Sequence, residues 1–126
     1  MFPATFRCYL VDRASDAGGA SGKPRLRSAI VERPLESLPD GDVLIRVHWS
    51  ALNYKDALAA TAHPGVVRSL PHIPGIDAGG TVVESCDPRF APGDAVLVHS
   101  CDVGAGRWGA WAEYLRTPAD WVVPLV

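Results

Sequence analysis

No stretch of this 126-residue sequence approaches the roughly 20 consecutive uncharged apolar residues that span a bilayer, so no membrane-crossing helix is expected. An export leader is not expected either: in MFPATFRCYLVDR the apolar start is cut by Arg7 before an h-region of useful length is reached. Cysteine is scarce. Cys8, Cys86 and Cys101 are odd in number, widely spaced and free of any C-x-x-C pair, which argues against the disulfide framework of small secreted domains. Reduced thiols in the cytoplasm are the expectation. Neither charge dominates: 12 Lys and Arg stand against 14 Asp and Glu, and the basic residues are spread along the chain. A nucleic-acid partner, which calls for a concentrated basic face, is therefore not expected. Internal repeats and low-complexity tracts are also missing.

What is present is an apolar fraction of 48%, enough in a chain of this length for one domain, residues 1–126, to bury a core without disulfides or metals. FRCYLV (6–11) and RSAIVER (27–33) read as a strand and its return, joined by the polar, Gly/Ser-rich loop DRASDAGGASGKP. The clearest alternation lies in DVLIRVHW, where Val43, Ile45, Val47 and Trp49 are expected on one dry face and Leu44, Arg46 and His48 on the other. NYKDALAATA, Asn53 to Ala62, is the one good helical candidate: it is rich in Ala and Leu and is closed by His63, Pro64 and Gly65. GTVVESC, DAVLVHS, AWAEYLR and DWVVPLV are four further strand candidates. Short strands at close spacing, with turn chemistry between them, predict a β-barrel or sandwich.

GAGRWGA (104–110) matches the G-x-G-x-x-G dinucleotide fingerprint through Gly104, Gly106 and Gly109. That fingerprint works only where a strand turns into a helix inside a βαβ unit, with an acidic residue about 20 positions on. Here Pro118 stops any helix, and VVPLV supplies no carboxylate. A glycine-rich turn between strands is the reading preferred, with Trp108 or Trp111 covering the core. The four histidines, His48, His63, His72 and His99, have no partner at metal-ligand spacing, and no serine sits in a G-x-S-x-G elbow. Asn53, Tyr54, Lys55 and Asp56 form a polar cluster where a strand runs into the helix; three of them could exchange a proton. The plainer alternative has Asn53 capping the helix, Asp56 favouring its dipole and Lys55 solvated. Asp77, in PHIPGIDAGG, could act on a ligand or simply bind turn amides, and spacing does not choose.

Taken in order, VHWSALNYKDAL, PHIPGIDAGGTV, DPRFAPGD and VGAGRWGAWAEY resemble the N-terminal GroES-like catalytic domain of the medium-chain dehydrogenase/reductases. Within them the strings are most similar to the zinc-independent acrylyl-CoA reductase branch, whose members are often labelled quinone oxidoreductases. The resemblance runs from about Leu38 to Val126 and is looser over the first hairpin. It implies a mainly β fold, a partly open GroES-like barrel with one or two short helices, and a Rossmann domain that this sequence does not contain. Where the zinc-dependent branch has a Cys and a His-Glu pair, this chain has Asn53, Ile76 and Asp77, so no metal is implied. NADPH is the implied cofactor, with Tyr54 touching it and a candidate to donate a proton, while Asn53, Lys55 and Asp56 order the site. The implied substrate is an enoyl thioester or a quinone, and full-length relatives are expected to form homodimers. Without a second domain the chain is expected to be a poor reductase or none. A non-catalytic barrel acting as an interaction module is the alternative.

Overall fold

The computed structural model describes residues 3–14 and 25–125. Residues 15–24 of the expected hairpin loop lie outside it. Strand β1 (Thr5–Arg13) pairs antiparallel with β2 (Leu26–Pro34) over nine residue pairs, from Thr5 opposite Pro34 to Arg13 opposite Leu26. A five-stranded sheet follows in the order β6-β3-β4-β5-β7, built from β3 (Val43–Ser50), β4 (Ala78–Ser85), β5 (Ala95–Val98), β6 (Tyr114–Thr117) and β7 (Val122–Pro124). Every pairing in it is antiparallel. One α-helix, α1 (Tyr54–Ala60), lies between β3 and β4, and 3-10 turns occupy Leu35–Ser37 and Ala119–Trp121. The fold is mainly β, and no described helix is long and apolar enough to cross a membrane.

The two sheets are joined by the segment that precedes β6. Tyr9 N–H donates to the Trp111 carbonyl at 2.8 Å, Glu113 N–H to the Arg7 carbonyl at 2.9 Å, and Cys8 forms a bridge with Ala112. The AWAEYLR strand begins only at Tyr114: before it, Trp111 N–H goes to Pro74 and the Trp111 carbonyl and Glu113 N–H to β1, and only the Glu113 carbonyl reaches β3, accepting the Val47 N–H at 2.9 Å. Among the described strands β6 and β7 are the edges of the five-stranded sheet and β2 pairs with β1 alone, so the barrel is partly open.

Apolar side chains separate into two cores on opposite faces of β3. Val43 and Ile45 join Val82, Val96, Val98 and Leu115 on the inner face. Leu44 points the other way, into a second core with Phe6, Cys8, Leu10, Ile73 and Tyr114 beneath the β1–β2 ribbon. The expected single dry face of β3 is therefore corrected twice. Leu44 is as buried as its neighbours, and Trp49 is 78% exposed. The cause is a bulge: Val47 pairs with Gly80 and Trp49 with Gly79, leaving His48 as an extra residue. One extra residue reverses the alternation and sends Trp49 to the outer face.

The helix ends two residues before the expected boundary. Ala62 takes a left-handed φ of 55°, its N–H reaches the Ala59 carbonyl at 3.0 Å, and His63 N–H reaches the Leu58 carbonyl at 2.9 Å. Those two bonds satisfy the last carbonyls and stop the helix, as in a Schellman motif. DWVVPLV likewise gives only a short strand, because Ala119–Trp121 is wound into a 3-10 turn.

GAGRWGA does not make a nucleotide-binding turn. The loop 102–112 lies directly against the loop 71–77. Gly109 N–H donates to the Ile73 carbonyl at 2.6 Å, Ala110 N–H to Gly75 at 2.9 Å and Trp111 N–H to Pro74 at 3.0 Å. Gly104 N–H and Gly106 N–H are bonded to the Arg107 carbonyl and the Asp102 carboxylate. Amides that would cradle a pyrophosphate are thus already in use. Trp108 and Trp111 are half-buried over the second core, as expected.

The close approach of these loops depends on missing side chains. A Cβ on Gly104 would stand 2.5 Å from the carbonyl of Gly75, and one on Gly75 would stand 2.6 Å from Trp111 N. Gly75 also has a φ of +110°. Gly75→Ala combines strain with a backbone clash and should cost more than about 2 kcal/mol, read as a lowered urea midpoint. Gly93→Ala is the control. Gly93 has a φ of +98° but nothing within 4 Å, so only the backbone strain of about 1 kcal/mol should appear.

Candidate active site

The connection from β3 to α1 is tied down at several points. Ser50 Oγ–H donates to the Asp77 carbonyl at 2.7 Å, and Trp111 Nε1–H donates to the Ala51 carbonyl at 3.1 Å. Asn53 sits at the helix N-cap in extended conformation, φ −122° and ψ 163°. Its backbone N–H donates to Asp56 Oδ2 at 2.8 Å, and the Asp56 N–H bonds back to the Asn53 carbonyl at 3.0 Å. The Asn53 side chain is used differently from an ordinary cap. Its Nδ2 donates to Asp56 Oδ2 at 3.2 Å and to Asp77 Oδ2 at 2.9 Å.

Asp56 is the centre of this network. It is fully buried, and its second oxygen, Oδ1, accepts the Ile76 N–H at 2.9 Å. A buried carboxylate that accepts three hydrogen bonds, at the positive end of a helix, meets the conditions under which burial of charge is tolerated. The bonds run from α1 into the loop carrying Ile76 and Asp77. Two segments 20 or more residues apart are thereby locked together.

Of the four clustered residues, the structure brings Asn53 and Asp56 into one network with Asp77. It leaves Tyr54 and Lys55 outside that network. Both are exposed, Tyr54 at 81%, and Leu52 just before them is 79% exposed. Asn53 thus caps through its backbone and braces through its amide, so part of the plainer reading holds for it and for Asp56. The open question over Asp77 is resolved in geometry: one oxygen binds Asn53, its backbone carbonyl binds Ser50, and the residue lines a groove. Ile76 contributes only its backbone N–H to the network. Among the described residues no group of three or more His, Cys, Asp or Glu is placed to hold a metal ion.

The groove beside Asp77 encloses about 590 Å³ and is lined by Trp49, Gly79, Leu97 and Leu125 on its apolar side and by His48 and His99 at its polar edges. His48 Nε2 meets Thr81 Oγ1 at 3.1 Å, and His99 Nδ1 meets Ser100 Oγ at 2.9 Å. Sequence reasoning did not find this groove. Alternation alone puts Trp49 on the dry face, and only the bulge at His48 turns it outward.

His72 was also missed as a structural residue. It is 2% exposed; its backbone exchanges two 2.8 Å bonds with Val11, and its ring Nε2–H donates to the Gly104 carbonyl at 2.9 Å. Burial pushes the imidazole below its ordinary value, and the Gly104 bond offsets part of that.

The sequence model of the alcohol dehydrogenase GroES-like domain matches residues 39–126. The chain belongs to this family. It is 52% identical over 88 residues to the Escherichia coli (strain K12) protein named "Probable acrylyl-CoA reductase AcuI", a match covering 70% of this chain and 27% of that protein. It is 38% identical over 120 residues to the acrylyl-CoA reductase AcuI of Ruegeria pomeroyi, covering 95% of this chain and 34% of the relative. Among solved structures, the yhdH oxidoreductase of Salmonella enterica in complex with NADP superposes with a TM-score of 0.83 at 41% identity, over 95% of this chain and 35% of that one. The chain therefore spans about a third of the length of such relatives. The GroES-like resemblance and its acrylyl-CoA reductase branch are borne out.

Two measurements probe the network. In Asp56→Asn one carboxylate oxygen becomes an NH2 that faces either Asn53 N–H or Ile76 N–H, so unfolding should be easier by about 2 kcal/mol. For His72 the folded-state pKa lies below the unfolded one. Above about pH 6.5, the unfolded value, the ring is neutral in both states; as pH falls below it the unfolded chain binds the proton first and stability is lost. Urea midpoints between pH 7.5 and 5 should fall with acid, and His72→Gln should flatten that slope.

Proposed function

We propose that this chain is the catalytic-domain portion of an NADPH-dependent oxidoreductase that reduces an activated alkene of the enoyl-thioester type, or a quinone. In this reading residues 1–126 make up one GroES-like domain, and the nucleotide's phosphates and ribose are held by a second domain of the kind that accounts for the greater length of the relatives. The observation that carries the reading is the Asn53–Asp56–Asp77 network. It rigidly anchors the start of α1 while Tyr54, the first residue of that helix, stands in solvent. Large exposed side chains on an over-determined backbone are what a site requires when its ligand is to be positioned closely.

NADPH, when bound, supplies the hydride. Tyr54 contacts the cofactor and delivers a proton to the substrate through its hydroxyl group, Oη–H. Asn53 and Asp56 are positioning residues that fix where α1 begins, and Asp77 orients Asn53 from the opposite side. Lys55, also exposed, faces solvent next to Tyr54 and adds positive charge near an anionic cofactor. Cys8, Cys86 and Cys101 are all free, which fits a reducing, cytoplasmic compartment.

NADPH oxidation with acryloyl-CoA, followed at 340 nm in about the same buffer for this chain alone and for the chain fused to the second domain of a relative, tests the proposal. Turnover is expected from the fusion. Tyr54→Phe should lower kcat by about 10²-fold or more with little change in KM, the usual loss when a positioned proton donor is removed. Unchanged kcat in that variant would remove Tyr54 from the proton path, and no turnover with any acceptor would overturn the reductase reading.

A further inference from the structure

Strand β2 has β1 on one side and, among the described residues, no strand on the other. The ends of the ribbon fix which of its backbone groups face outward. The Arg25 carbonyl accepts the Ala14 N–H at 2.8 Å at one end, and Leu35 N–H donates to the Ala4 carbonyl at 2.9 Å at the other. Both bonds continue the register that sets Arg13 opposite Leu26 and Thr5 opposite Pro34. Bonded and non-bonded pairs alternate along an antiparallel ladder, so the odd-numbered residues of β2 are the ones that bond to β1. The N–H and C=O groups of Leu26, Ser28 and Ile30 therefore point away from the ribbon, and no described residue bonds to them. β1 differs, because its outward groups at Arg7, Tyr9 and Val11 are taken by Glu113, Trp111 and His72.

An open edge of this length invites pairing, and folded proteins blunt such edges with a bulge, a lysine or a proline. β2 has no register shift, no Lys, and no Pro before its last residue. Its side chains add to the invitation. Leu26 and Ile30 are exposed, Ile30 at 74%, and they share a face with Ser28. The opposite face is the one that packs onto the second core, through Val31.

The charges along β2 favour a second copy in one register. Two copies related by a two-fold axis pair antiparallel, and each residue then lies opposite one that faces the same way. With the axis at Arg27, that residue opposes itself; at Ala29, Arg25 opposes Arg33; at Ile30, Arg27 opposes Arg33; at Val31, Ile30 opposes Glu32. With the axis at Ser28, Leu26 lies opposite the other copy's Ile30, Ser28 opposite Ser28, and Arg27 opposite Ala29. Like charges directly opposite are destabilising and apolar pairs are favourable, so the Ser28 register is the best of these. The residues it pairs by hydrogen bonds, Leu26, Ser28 and Ile30, are the ones whose backbone groups point outward.

We propose that β2 is a self-association edge, by which two copies of this chain join antiparallel about Ser28 into one continuous sheet, β1–β2–β2–β1. Tyr9, opposite Ile30 within the ribbon, extends the apolar row across the junction. The two Arg27 side chains meet only on the diagonal. A contact one strand wide falls below the roughly 1,200 Å² of a standard stable interface, so the association is reversible and set by concentration. Nothing in this pairing depends on the chain's being part of a reductase.

Sedimentation velocity of the whole chain in reducing buffer, over about a hundredfold range of concentration, is expected to show a monomer–dimer equilibrium. Hydrogen exchange at the Leu26, Ser28 and Ile30 amides should slow as the dimer forms. Leu26→Glu and Ile30→Lys should each weaken dimerisation by about tenfold or more with little change in melting temperature. The double variant sets opposite charges across each pair and should restore most of the loss, because only the Ser28 register places residue 26 against residue 30. A monomer at every concentration, a dimer that neither single variant weakens, or a double variant no stronger than the singles would overturn the proposal. So would slow exchange of the Ser28 amide in a monomer, because another segment of the chain would then occupy the edge.

Discussion

Everything that positions the candidate site depends on two loops lying closer together than side chains normally allow. Residues 73–76 and 104–111 approach until backbone meets backbone, and three N–H groups of the second loop pair with three carbonyls of the first. Gly75, Gly104 and Gly109 make this approach feasible, since a Cβ on any of them would meet the opposite main chain. His72 and Trp108 add side-chain bonds to Gly104 and Pro71 at the same seam. Without the seam, Ile76 and Asp77 would have no fixed place from which to meet α1.

From that seam the order passes to Asp56. A short helix of seven residues has little stability of its own. Its first turn is held because a buried carboxylate binds the chain before it, at Asn53, and the chain across from it, at Ile76. The result divides labour inside a four-residue stretch. Asn53 and Asp56 face inward and are consumed by structure, while Tyr54 and Lys55 face outward and remain available. A helix start is well suited to this division, because successive residues there point in different directions.

The sequence made the larger elements legible for physical reasons that are local. Alternation, turn residues and an Ala-rich run mark strands and helix wherever neighbours in the chain decide the outcome. The glycine fingerprint could be dismissed from its flanks alone, since a crossover helix cannot pass Pro118. What stayed hidden was decided across the chain. Trp49 changes face because of one bulged residue, His48, left unpaired against a strand more than thirty positions away, where its ring meets Thr81. Asp56 and Asp77 look alike as carboxylates near turns, but only their amide partners show that one is buried structure and the other half-open to a groove. His72 resembled any other histidine until Val11 and Gly104 surrounded it.

The bulge at His48 has a further meaning when placed beside the two cores. A strand buried on both faces, as β3 is at Val43 to Ile45, has no side to spare for a ligand. By reversing its alternation before its end, β3 keeps both cores filled at one end and still turns Trp49 outward at the other. The same strand then runs straight into Asn53, so the reversed face and the anchored helix start are neighbours by covalent connection. A structural irregularity thereby marks the point where packing stops governing the strand, and the groove begins at that residue.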